Sequence, residues 1–141
     1  MGMYTGLRCK VIIKKEYREE LKRLHENRFD WSKSEVDFIK EFSEVERSDF
    51  IPFGSSSYMP KGWEDGFEYG YDEETGLLKF ACSLKNYSDA IEEFNKVLGK
   101  VIEEVIHLEK RNEELESGKL YVLVQGDLVE ENINKEMAPR I

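Results

Sequence analysis

Proline, cysteine and histidine are scarce in this chain: 3, 2 and 2 among 141 residues. Cys9 and Cys82 are too few for a disulfide framework and too far apart for a zinc site or a redox pair. The segment Glu104-Val105-Ile106-His107 has the Glu-x-x-His spacing of di-iron bundles, but it occurs once, and such a site needs it twice with two further carboxylates. No metal and no cofactor is therefore expected. Also missing are Gly-x-Gly-x-x-Gly, Gly-Lys-Ser/Thr, Gly-x-Ser-x-Gly and His-Glu-x-x-His, the signatures of dinucleotide, phosphate-loop, hydrolase-elbow and zinc-protease chemistry. No apolar run approaches the roughly 20 residues of a membrane-spanning helix, so no membrane partner is expected. The opening Met1-Gly2-Met3-Tyr4-Thr5-Gly6 carries no export signal. With two isolated thiols, the expected location is cytoplasmic.

What the chain does have is 40% hydrophobic residues and 36% charged ones, at a mean hydropathy of -0.62. That is too hydrophobic for disorder, and the length suits one domain with one core. The net charge of -9 is unevenly spread. Residues 1–28 carry 8 bases and 4 acids, a balance of +4, and the remainder carries 13 bases and 26 acids. An acidic chain lacks the general field that duplex DNA requires, whereas a local basic face can hold an anion.

Hydrophobic periodicity divides the chain. Leu7, Cys9, Val11 and Ile13 alternate with Arg8, Lys10, Ile12 and Lys14, which predicts a strand with one apolar and one mostly cationic face. Helical spacing follows at Tyr17, Leu21 and Leu24. A second helix, capped by Ser32 or Ser34, buries Val36, Ile39, Phe42 and Val45 and ends near Arg47. Residues 48–66 read as an ordered loop, broken by prolines and glycines yet rich in Phe53, Tyr58, Trp63 and other apolar groups. A hairpin follows: Phe67, Tyr69 and Tyr71, a turn at Glu73–Gly76, then Leu78, Phe80, Cys82 and Leu84 on one face of the return strand. Ile91, Phe94, Leu98, Val101, Val105, Leu108 and Leu115, with Asn112 filling one polar step, recur every three or four residues, which predicts one long helix from about 88 to 116. Its second half narrows to Leu108, Asn112 and Leu115, a seam suited to a partner helix in a homodimer. A final strand, Lys119–Gln125, and a loosely held tail over 127–141 complete a single domain over residues 1–126.

The expected fold class is α+β. The order strand, split helix, strand, strand, helix, strand resembles the βαββαβ arrangement of ferredoxin-like folds: a four-stranded antiparallel sheet with every helix on one face. The outer face would then gather Arg8, Lys10, Lys14, Lys79 and Lys85, joined by Tyr69 if it faces that way. Rings flanked by cations are how sheets hold nucleotides and single strands. The expectation is a non-enzymatic binding domain that uses this face, with Phe53, Tyr58, Lys61 and Trp63 of the loop, to hold an anionic, nucleotide-like ligand or a protein partner. The competing readings are an acidic inhibitor of a nucleic-acid-binding or defence protein, encoded by a phage or mobile element, and an enzyme built on loop 48–66.

Overall fold

Residues 4–46, 48–53, 66–85, 90–112, 119–124 and 127–132 are described by the computed structural model. Strand β1 (Tyr4–Ile13) lies inside the sheet, between β3 (Leu77–Lys85) and β4 (Ile102–Asn112) and antiparallel to both. Its alternation sets the layers. Leu7, Cys9, Val11 and Ile13 are all fully buried, because they face the helices α1 (Arg18–Glu26), α2 (Asp37–Phe42) and α3 (Ala90–Val101). Leu21 and Leu24 of α1, Ile39 and Phe42 of α2, and Ile91, Phe94 and Leu98 of α3 join Leu78, Phe80, Cys82 and Leu84 of β3 in one core. Burial drives both thiols up in pKa, so Cys9 and Cys82 behave as small apolar groups.

Strand β2 (Gly70–Asp72) pairs with β3 through the expected turn. Gly76 has φ +80, and a Cβ there would stand 2.5 Å from Arg18 Nε and 2.7 Å from the Ile13 carbonyl. That room lets the Arg18 guanidinium donate to the Ile13 and Glu74 carbonyls and pair with Glu103 at 3.1 Å, clamping the hairpin to β1 and β4. The second helix is shorter than expected. Neither serine caps it: α2 starts behind Val36 with no side-chain cap, Asp30 caps the separate 3-10 turn Trp31–Lys33, and Ser34 donates to Glu20.

The long helix does not exist. Its periodicity holds for α3, but from Ile102 the chain runs on as β4. Two register shifts explain the misreading: the pairs Lys10↔His107 and Val11↔Val105 skip Ile106, and Ile12↔Glu104 and Ile13↔Ile102 skip Glu103. Each bulge adds one residue to the two-residue strand repeat, so the inward residues Ile102, Val105 and Leu108 fall every third position and imitate a helix stripe. The β-branched pairs Val101-Ile102 and Val105-Ile106 favour the strand. Leu108 is fully buried in the core, so it belongs to no solvent-facing helical seam. Asn112 ends β4, and Leu115 lies outside the described residues.

The four-stranded ferredoxin-like layout is therefore overturned. The sheet has six antiparallel strands in the order β2-β3-β1-β4-β5-β6, with β5 spanning Lys119–Val124 and β6 spanning Asp127–Asn132. The extra strands come from the second half of the presumed helix and from residues 127–132, assigned from sequence to a tail. The latter pair with β5 from Lys119↔Asn132 to Val124↔Asp127. No helix among the described residues is long and apolar enough to cross a membrane.

Candidate functional site

Residues that alternate with the core of β1, β3 and β4 meet on the sheet face away from the helices. Arg8 stands between Ala81 and Glu109, and Lys10 between Lys79 and His107. Ala81 and Gly6 are small, which leaves room above the sheet for longer neighbours. Lys10 and Lys79 are cross-strand partners, an arrangement of like charge that costs stability in an antiparallel sheet.

Glu109 organises the β1/β4 side. It is only 3% exposed, and its Oε1 accepts from Arg8 Nε and His107 Nε2, each at 2.9 Å. Arg111 approaches Oε2 at 3.5 Å. Burial alone would push the carboxyl up in pKa, but the hydrogen bonds from His107 and Arg8, with the Arg8 charge, outweigh it and hold the group below its ordinary value. Arg111 Nε is itself buried and has no hydrogen-bond partner among the described residues.

Phe67 covers this cluster. Its ring, 8% exposed, lies 4.7 Å from Arg8 Cζ and 4.5 Å from Lys10 Nζ, and meets the His107 ring edge-on at 5.4 Å. Such cation–ring contacts hold long side chains in place and contribute about 0.5–2 kcal/mol each. Glu68 beside it accepts from its own backbone N–H and from that of Gly66, and with the nearby Lys79 and Lys10 charges these contacts pull its carboxyl down in pKa. The outer face is thus not a bare solvated surface. It is a charged layer with an aromatic cap.

The other expected site residues are distributed differently. Tyr69 does not join the cations: it packs on the helix side, against His25, Phe29 and Phe53, and its hydroxyl hydrogen-bonds His25 Nδ1. Tyr71 likewise donates to the Arg18 carbonyl at 2.8 Å. Burial raises both phenols to about 12. Phe53 is half exposed and stacks on Tyr69 at 4.9 Å. Lys14 sits just past β1, where its backbone N–H donates to Val101 at the α3–β4 junction. Tyr58, Lys61 and Trp63 lie outside the described residues, as does the side chain of Lys85.

Phe67, His107, Glu109 and Arg111 were missed as site residues. For the last three the signal was available: His107, Glu109 and Arg111 alternate with Leu108 and Lys110 at the strand period, beneath the stronger three-residue apolar repeat. No group of three or more metal-ligating side chains occurs among the described residues. Comparisons with protein-family models, characterised proteins and solved structures find no match.

Proposed function

We propose that this chain is a small binding domain whose outer sheet face, on β1, β3 and β4, holds an anionic ligand of the phosphate or nucleotide class. The observation that carries this reading is Lys10 directly opposite Lys79 on neighbouring strands. Within a chain of net charge -9, these two like charges share one nearby carboxylate, Glu68, and a bound anion would add a second counter-charge to a pairing that otherwise costs stability. Arg8 is already committed to Glu109 and acts as a fixed wall. A phosphate-like group fits that chemistry, since its oxygens can accept charge-assisted hydrogen bonds from two ammonium groups at once.

The test is an amide chemical-shift titration with pyrophosphate, ATP and a short single-stranded RNA. The expected result is saturable perturbation centred on Lys10, Lys79 and His107, weakening with added salt and lost in Lys10→Ala combined with Lys79→Ala. Identical perturbation in that double variant, or none in the unsubstituted chain, defeats the reading.

A further inference from the structure

The sheet is not continuous between β4 and β5. Among the described residues these strands pair only at Glu109↔Leu120 and Lys110↔Lys119. Beyond that point they part around an opening of about 410 Å³ lined by residues 103–108 of β4 and 120–123 of β5. The bulge at Ile106 supplies the cause, since an extra residue bends its strand, increases its twist and ends pairing on the free side. No ladder pair joins residues 102–107 to 122–124 among the described residues. Residues 102–107 of β4 therefore present an open edge inside the sheet. Large apolar side chains stand exposed beside it: Ile106 at 50% and Val122 at 38%. Glu103 and Glu104 line the same opening; Glu103 is paired with Arg18, and Glu104 has no ion-pair partner among the described residues.

We infer that this opening receives an extended peptide segment of a partner protein, one that alternates lysine or arginine with β-branched residues and adds as a strand to β4. The open edge of β4 supplies backbone pairing, the exposed Ile106 and Val122 supply apolar contact, and Glu104 selects positive charge. Residues 103–107 span roughly 17 Å at about 3.3 Å per residue, enough for a segment of about five residues. The outer edge of the sheet is a poorer receiver. Strand β6 carries Asp127, Glu130 and Glu131 within six residues, the charge pattern that guards an edge against pairing. A second copy of this chain fits poorly for the same reason, because its strands beyond residue 101 bring more carboxylates to carboxylates.

The test uses the full chain with three capped hexapeptides, alternating Lys/Val, alternating Glu/Val, and Lys/Val with a central proline. The Lys/Val peptide is expected to bind, shifting the amides of 103–107 and 121–124 and slowing their hydrogen exchange. Glu104→Lys should weaken it about tenfold, and Val122→Lys should also weaken it. The Glu/Val and proline peptides should bind at least tenfold more weakly, the first for charge and the second for its missing N–H. Equal binding of all three peptides overturns the inference, as do shifts on β6 alone or concentration-dependent dimerisation that fills the opening. Because the probe is cationic, shifts centred on Lys10 and Lys79 also overturn it, while leaving the anion reading to its own titration.

Discussion

Two regions of the same outer sheet face solve the same problem in opposite ways. Over β1, β3 and β4 the outward positions are Arg8, Lys10, Lys79, His107 and Glu109, and Phe67 closes over them. Over β5 and β6 they are Val122, Val124 and Val129, with Ile106 at the border, all between 38% and 50% exposed. The charged region is sealed by an aromatic ring and a buried carboxylate, whereas the apolar region is left open to water. Sealing a charged layer fixes its geometry, as a site for a small anion requires. Leaving an apolar layer open is a cost that a docking segment removes.

The border between the regions is where substitution should hurt most. Leu108→Glu places an unpaired carboxylate in the fully buried row of β4, and should cost about 4 kcal/mol or prevent folding, read by urea unfolding. A well-folded variant with altered molar mass would instead revive a helical seam there. Glu109→Gln removes the anion between Arg8 and His107. Its expected cost at neutral pH is about 2 kcal/mol, below the range for fully buried pairs because Arg8 reaches solvent.

The sign of the pH dependence follows from the lowered Glu109 carboxyl. Its contribution is present above the unfolded carboxylate value of about 4.3, and is lost as pH falls through the lower folded value. Stability curves for Glu109→Gln and the unsubstituted chain should stay apart above about pH 4.3 and approach each other as the pH falls below it. Parallel curves across that range would show that Glu109 has no special role. In the open region, Val129→Thr should change stability by less than about 0.5 kcal/mol, because the side chain is 45% exposed.

How much of this was legible in sequence depends on how each element keeps its period. Strand β1 alternates without interruption up to its partner's bulges, and the β2–β3 turn is marked by Gly76, so both were readable. Residues 102–112 were not, because two bulges turned a strand's repeat into a helix's and hid the strand that carries Glu109. With that strand unread, nothing placed Glu109 beside Arg8, although β1's cations were correctly separated from its apolar row. The orientation of Tyr69 depended on packing against His25 and Phe53, contacts far apart in sequence that no local pattern encodes.

The account depends most on the paired lysines at the centre of the sheet, and urea unfolding of Lys79→Gln with and without pyrophosphate tests them directly. Lys79→Gln removes the repulsion from Lys10 and the attraction to Glu68 together, so the anion-free chain should change by less than about 0.5 kcal/mol, and the variant should lose the stabilisation that pyrophosphate confers on the unsubstituted protein. A variant that gains as much stability from pyrophosphate as its parent would contradict it.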